Sequence, residues 1–403
     1  MALDHPMSRT ASQQQAITVQ YDAAHRRGLA TGCDVRSHMS HSAQPLVIRF
    51  GRLGDTLLLQ PMLRRLHARY VQPCHVLARG RYAAELYQGH PDVADMLVLD
   101  AHHQPFVLSP EQWHVVHQLR RMRDVPVYVA ELQPTSLARI RFLLKMAGIP
   151  DRHCVFLEHI PLPPDSHWIE HLLQLADATP PAFHSAFGHV ACMTSAVPEL
   201  VVSPQERADC DQWLIHRQLA GHPLVLLQAA NKRTVRWNGV RKASDDDKSW
   251  PIEHWTRVVA AINTQWPDAR ILLCGSPAEA RYLETIRATM AQSGVEVVAR
   301  DLPVPRLKAL LAIAHSMISV DTGPAHMAAT MGCPLVVMFG SGPLSYWAPR
   351  GASPDAVRVL GGPPRQRVDA IAPDEVIAAW RGLPLRAPPS SRVEAGLTSM
   401  ALT

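Results

Sequence analysis

Asp55 and Asp321 sit in the two stretches of the chain best suited to chemistry. Each stretch is a short apolar run, a glycine-bearing turn and an apolar-periodic segment. The first reads Ile48-Arg-Phe-Gly51-Arg-Leu-Gly54-Asp55-Thr56, and the second Ile318-Ser-Val-Asp321-Thr322-Gly323-Pro324-Ala325-His326. The pattern predicts strand, turn and helix. Glycine lets a backbone turn sharply or approach a ligand closely, and the free N–H groups at the start of a helix favour an anion. Pro324 suits a first helical turn, where its missing N–H costs nothing. Taken singly, either turn is as readily structural as functional. Gly51-x-x-Gly54 is neither the dinucleotide fingerprint nor a P-loop, which needs a Gly-Lys-Ser/Thr that the chain lacks. Two such turns in opposite halves predict a cleft with a donor on one side and an acceptor on the other. Asp55 has two compatible readings there, a general base and a helix cap.

A third stretch, Ser244-Asp-Asp-Asp-Lys248-Ser-Trp250-Pro251, precedes an apolar-periodic segment. Lys248 is a point charge suited to a diphosphate. Asp245–Asp247 contain an Asp-x-Asp able to take a divalent cation, but a solvated acidic loop at a helix start is the plainer expectation. Asp209 and Asp211 would point roughly 200° apart on a helix. His114 and His117 share a helix face and read as a solvated pair, while His25, His38 and His41 lack companion ligands. No metal site is expected. The seven cysteines contain no Cys-x-x-Cys pair, which argues against a zinc module or disulfide scaffold and fits a reducing compartment.

Holding such turns takes α/β elements, and the chain alternates accordingly. Strand-like runs fall at 45–50, 75–78 and 96–99, with helical patterns at 55–70 and 81–89 between them. The alternation restarts after Pro198 and Pro204: helix 205–219, strand 223–228, strand 270–274, helix 278–293, strand 295–299, strand 317–320, a helix from Pro324, and strand 335–339. The chain's 403 residues suffice for two or three domains, and its 47% apolar content for ordinary cores. Disorder throughout and a coiled coil are excluded. The expected division is a disordered extension 1–45, a first domain 46–195, a second domain 196–383 and a flexible tail 384–403. No apolar run approaches the ~18–20 residues that span a bilayer, and the N-terminus lacks a signal-peptide core, so a cytoplasmic protein is expected. The net charge of +5, with Arg120-Arg121-Met122-Arg123 and Arg139-Ile140-Arg141, is too diffuse for a nucleic-acid binder. It fits a solvated basic face, or attraction to anionic substrates or a membrane surface.

Val47-Ile-Arg-Phe-Gly-Arg-Leu-Gly-Asp55-Thr-Leu-Leu-Leu-Gln-Pro61 resembles the N-terminal signature of glycosyltransferase family 9, the bacterial heptosyltransferases. Ser319 to Ala329, followed by Pro334-Leu-Val-Val-Met-Phe-Gly340, resembles its C-terminal signature, and Asp247-Lys248-x-Trp-Pro251 its donor-phosphate segment. The resemblance implies a GT-B architecture, two Rossmann-like domains facing across a cleft. It implies a nucleotide-diphosphate sugar, typically ADP-heptose, on the second domain and a lipopolysaccharide core-type acceptor on the first, at the cytoplasmic face of the inner membrane. Asp55 matches the family's general base, with Gly51 and Gly54 in its acceptor-side loop. Ser244 and Lys248 fall where the family contacts the diphosphate. Asp321, Thr322, Gly323 and His326 match the nucleotide-sugar loop, and Glu279 lies near a carboxylate that holds the ribose.

The chain departs from that pattern in its 45-residue N-terminal extension and in three places further along. Ala229-Ala230-Asn231 replaces a glycine-bearing loop, the insertion 231–246 is long and basic, and Val129-Ala-Glu131-Leu-Gln-Pro134 replaces an aspartate-bearing strand. Inverting transfer needs one base on the acceptor side and stabilisation of a leaving diphosphate on the other. Asp55 supplies the first, and Lys248 with the 321–326 turn the second, so neither cofactor nor metal is required. The rival readings are a protein glycosyltransferase, a nucleotide-sugar epimerase and a non-enzymatic nucleotide-sugar-binding protein.

Overall fold

The computed structural model describes residues 43–384, apart from 101–104, 163–164, 237–238, 241 and 291–293, and also residue 386. The expectation for residues 1–42 lies outside the described residues. The chain forms two parallel sheets flanked by helices. In the first half the order is β1 (Leu46–Arg49), α1 (Leu53–Leu57), α2 (Gln60–Tyr70), β2 (Cys74–Ala78), α3 (Arg81–Tyr87) and β3 (Val93–Val98). There follow α4 (Pro110–Arg121), β4 (Val127–Val129), α5 (Pro134–Ala147), β5 (Cys154–Phe156) and α6 (Trp168–Asp177). The strands lie in the order β3-β2-β1-β4-β5, all parallel.

After α7 (His184–Phe187) and an extended connection, α8 (Pro204–His216) begins on a capping box in which Ser203 and Glu206 bond each other's backbone N–H. The second half then runs β6 (Leu224–Gln228), a short antiparallel ladder β7 (Val235–Arg236) with β8 (Gly239–Val240), α9 (Ile252–Gln265), β9 (Arg270–Leu273) and α10 (Ala280–Met290). It continues with β10 (Val295–Val297), α11 (Val304–Ile313), β11 (Ser316–Val320), α12 (Gly323–Thr330), β12 (Leu335–Phe339), α13 (Leu344–Trp347), β13 (Val357–Gly361) and α14 (Pro373–Arg381). Its sheet order is β10-β9-β6-β11-β12-β13, again parallel. Every residue of β6, β11 and β12 is buried, as strands covered by helices on both faces must be.

One sequence expectation changes. The helix expected over 55–70 is two helices, because the chain breaks at Leu58–Leu59 and restarts with Pro61 in the first turn of α2. Of the tail expected from 384, residues 385 and 387–403 lie outside the described residues; Arg386 donates to the carbonyls of Leu311, in the last turn of α11, of Ala314 and of Met331 just past α12. One apolar cluster, including Leu57 and Leu58 below the first turn and Leu310, Ala325 and Met327 below the second, runs continuously between the halves.

Candidate active site

Strand β1 ends at Arg49, and the chain turns through Gly51 into α1. Gly51 is needed for packing, since a Cβ there would overlap Asp55 Cβ and lie 3.0 Å from Arg49 Nε. Asp55 is the third residue of α1 and its carboxylate reaches back, Oδ2 accepting the Arg52 N–H at 2.8 Å. The sequence reading of Asp55 as a helix cap is thereby refined: Arg52 holds the cap position, and Asp55 closes the first turn from inside. The other oxygen, Oδ1, accepts from Arg49 Nη2 at 3.1 Å. Arg49 is nearly buried, and its second nitrogen, Nη1, donates to Ala130 O at 2.8 Å and Glu131 Oε1 at 3.2 Å. That meeting follows from register. Ile48 pairs with Val129 in the β1–β4 ladder, so the residues leaving both strands emerge together. Glu131 Oε1 also accepts the N–H groups of Leu132 and Gln133, each at 2.9 Å, which satisfies its buried carboxylate.

The second turn arrives from the other half. Thr322 starts α12, whose first residue is Gly323. Gly54 and Gly323 face each other so closely that a Cβ on Gly323 would lie 3.0 Å from Gly54 N and from Leu53 Cβ. One on Gly54 would lie 3.4 Å from Gly323 Cα and His326 Cδ2. The two glycine-bearing turns that the sequence singled out therefore touch. Asp321 accepts from Lys248 Nζ twice, through Oδ2 at 2.5 Å and its backbone oxygen at 3.0 Å. Burial lowers the His326 pKa, against the pull of Asp321 and Asp55, so the ring is neutral. Its Nε2 stands 3.9 Å from Asp321 Oδ1, and its buried Nδ1 has no protein partner.

The other predicted donor residues stand differently. Ser244 is exposed in a 3₁₀ turn, its hydroxyl donating to Asp245 Oδ1 at 3.2 Å and its carbonyl accepting from Arg367. Glu279 is buried and caps its own turn, Oε2 accepting Ser276 N–H at 2.7 Å and Ser276 Oγ–H at 2.9 Å. The acidic run is not the solvated loop expected. Asp246 is buried, with Oδ2 accepting Asn231 Nδ2 at 2.7 Å and Oδ1 the Lys248 N–H at 3.1 Å. Asp247 accepts from Arg233 Nη1 at 2.7 Å and from Ser341 Oγ–H at 2.7 Å. Burial would raise the Asp247 pKa, but the Ser341 bonds and Arg233 outweigh it and hold the carboxyl low. These aspartates latch the insertion and the Lys248 segment to the loop after β12. No cluster of three or more metal-ligating side chains occurs among the described residues. His114 and His117 are exposed, and Asp209 pairs with Arg306 at 2.8 Å.

Arg49, Glu131, Lys232 and the start of α6 escaped the sequence reading. The Arg49 guanidinium lies 5.1 Å above the Trp168 ring, and Trp168 packs on Tyr346 and Trp347 of the second half at 5.6 and 5.7 Å. Beside it, His167 Nε2–H donates to Ala348 O at 2.9 Å and Arg350 pairs with Glu170 at 2.6 Å. Nδ1 of His167 accepts the Ile169 N–H, which fixes the tautomer. Partial burial and the charges of Arg52 and Arg79 lower the Lys232 pKa, so the basic insertion reaches the first half's turn. The available signal was a charge closing each apolar run, in Leu46-Val-Ile-Arg49 and Val127-Tyr-Val-Ala-Glu131.

Two parallel-sheet halves whose glycine-bearing turns meet, with a carboxylate on one and the start of α12 on the other, form a GT-B architecture. Residues 226–370 match the profile of Glycosyltransferase family 9 (heptosyltransferase). Among solved structures, the chain is similar to the E. coli ADP-heptose lps heptosyltransferase II, with 20% identity over 84% of this chain and 97% of that one and a TM-score of 0.63. It is also similar to a family 9 glycosyl transferase from Veillonella parvula DSM 2008, with 13% identity over 85% and 97% and a TM-score of 0.66. For the E. coli heptosyltransferase WaaC with ADP the values are 18% identity, 83% and 97% coverage, and a TM-score of 0.59. At these identities the likeness is one of fold. No curated protein matches the sequence. Among the described residues no helix is long and apolar enough to cross a membrane.

Proposed function

We propose that this protein is an inverting glycosyltransferase that moves a sugar, with ADP-heptose the favoured donor, onto a lipopolysaccharide core-type acceptor. The observation that carries the reading is the contact of the Asp55 turn with the Gly323 turn, which sets a carboxylate beside the start of α12. In this scheme Asp55 takes the proton of the acceptor hydroxyl. That oxygen bonds to the anomeric carbon from the face opposite the diphosphate, and the sugar–phosphate C–O bond breaks with its electron pair going to the leaving group. A carboxylate has about four acceptor positions, so the bonds to Arg49 and Arg52 fix its direction and leave room for the proton. General-base help of this kind contributes about 10²–10⁴-fold.

On the donor side Lys248 and the N–H groups at the start of α12 neutralise the charge developing on the diphosphate, a contribution of several kcal/mol in such sites. Neutral His326 adds no charge but offers its free Nδ1 as a hydrogen-bond partner. Lys248 is ready for this role because its partner Asp321 belongs to the same turn. No metal is required in this scheme. ADP-heptose is favoured because the structurally similar E. coli enzymes are named for it or were solved with ADP. The test is release of nucleoside diphosphate from a panel of nucleotide sugars, with and without core oligosaccharide. Release that depends on acceptor and inverts the anomeric configuration is expected. Turnover without acceptor would point to an epimerase, and binding without turnover to a non-enzymatic role.

A further inference from the structure

Asp55 is aimed by Arg49, and part of what aims Arg49 comes from the other half of the molecule. Arg49 Nη1 donates to Ala130 O at 2.8 Å and to Glu131 Oε1 at 3.2 Å, while Nη2 donates to Asp55 Oδ1 at 3.1 Å. Its Nε is buried without a partner. A planar guanidinium donates only within its plane, so the direction of the Asp55 bond depends on how that plane is set. With no bond at Nε, the face of the group has to supply the missing constraint. That face carries the Trp168 ring, 5.1 Å from Cζ to the ring centroid. Both side chains are buried, which strengthens such a contact by excluding water from it.

Trp168 is held in turn from the second half. It is the first residue of α6, and its ring packs at 5.6 Å on Tyr346 and 5.7 Å on Trp347, the last two residues of α13. Those two rings meet each other edge-on at 4.7 Å. His171, on the same helix as Trp168, meets the Trp168 ring edge-on at 5.6 Å. The indole Nε1 is buried without a partner, so packing rather than a hydrogen bond sets the ring's position. On either side the same two segments are pinned together, by His167 to Ala348 O at 2.9 Å and by Glu170 to Arg350 at 2.6 Å. A line of contacts thus runs from α13 through Trp168 and Arg49 to the Asp55 carboxylate. If the halves part, the ring loses the neighbours that hold it and Nη2 loses its aim. The Arg52 N–H still holds Oδ2, so Asp55 would swing about that bond without leaving its turn.

We infer that Trp168 is a positioning residue for the base: it transmits the seating of α13 to Arg49, so that Asp55 is aimed only while the two halves are in contact. Proton removal is thereby tied to the arrival of the donor half. The inference rests on the glycosyl-transfer reading and adds to it a residue that sets the rate through Arg49 and Asp55.

The measurement is acceptor-dependent nucleotide release from ADP-heptose, with core oligosaccharide as acceptor, for Trp168→Leu and Asp55→Asn singly and together. Trp168→Leu should lower kcat about tenfold, as a misplacement of about half an ångström would, with donor Kd and acceptor KM within about threefold. In the Asp55→Asn background the same substitution should change kcat by less than about twofold, because no base is left to aim. General damage to packing would instead lower the rate about tenfold in both backgrounds, and that result overturns the inference. Trp347→Leu enters the line from the second half at a less buried position. It should lower kcat at least about threefold, again only while Asp55 is present. Trp168→Phe keeps a ring beside Arg49 and should stay within about threefold of wild type. Thermal melts check folding, and if Trp168→Leu does not fold, Trp347→Leu takes its place in the cycle. A Trp168→Phe enzyme slowed about tenfold or more, or a wild-type rate in Trp347→Leu, also overturns the inference. Failure of the glycosyl-transfer reading shows separately, as no acceptor-dependent release by the wild type or near wild-type release by Asp55→Asn alone, and the inference falls with it.

Discussion

An alanine at position 323 would put its methyl carbon 3.0 Å from the Gly54 nitrogen and 3.0 Å from Leu53 Cβ. Normal contacts are about 3.5–4.0 Å, so the two turns would have to part by about half an ångström. In a single rigid core such overpacking costs about 1–3 kcal/mol. Here the clash lies between the halves, and alanine is a better helix former than glycine by up to about 1 kcal/mol. Strain should therefore open the contact rather than unfold either sheet. A 1 Å misplacement can cost about 10²-fold in rate, so half that distance should cost about tenfold. For Gly323→Ala we predict a tenfold lower kcat, a donor Kd within about threefold and a thermal midpoint within a few degrees. Gly54→Ala is the control, because its methyl would meet Gly323 and His326 at 3.4 Å, an ordinary contact. It should retain most activity. Steady-state transfer, donor titration calorimetry and thermal melts read the three quantities. Equal rates for both variants, or wild-type kcat in Gly323→Ala, would refute the idea that close approach of the turns matters.

Lys248→Ala leaves the mostly buried Asp321 carboxylate facing only the neutral His326. It should cost about 1–3 kcal/mol of stability as well as donor affinity, and unchanged donor binding in calorimetry would remove Lys248 from the site. Because Asp246 and Asp247 are committed to Asn231, Arg233 and Ser341, transfer should survive EDTA. Loss of turnover restored by Mg²⁺ would reassign them. Burial, followed by the charge of Arg350, pushes His167 down to about 4. The folded state therefore resists protonation, and stability should be full above the ordinary value of 6.5 and fall as the pH drops toward 4. The slope is at most ~1.4 kcal/mol per pH unit. His167→Gln should flatten that slope in melts across the window, and an unchanged slope would clear His167.

Local pattern carried the strands, the two turns and most helices, because parallel strands buried on both faces read as apolar runs and glycines punctuate them. It could not supply partners. Arg49 meets Glu131 through strand register, and Lys248 meets Asp321 through folding of the second half, in each case across more than seventy residues. The Asp245–Asp247 run shows the limit most clearly. Three consecutive carboxylates read as solvated, yet two are held by residues that the fold brings from 231–233 and 341. Ser244 and Glu279 were singled out by resemblance, and their side chains cap or brace their own turns. The break at Leu58–Leu59 was hidden because leucines continue the helical spacing through it.

The most direct test of the account is the rate of acceptor-dependent nucleotide release by Asp55→Asn. Asparagine offers one acceptor where Arg49 and the Arg52 N–H now bond two oxygens. A loss of about 1–3 kcal/mol in stability is therefore expected, and the assay belongs at a temperature where both proteins stay folded. With donor saturating, kcat should fall by at least about 10²-fold while donor Kd stays within a few-fold. A folded Asp55→Asn enzyme working at near wild-type rate would contradict the assignment, and leave Asp55 as the brace of α1 alone.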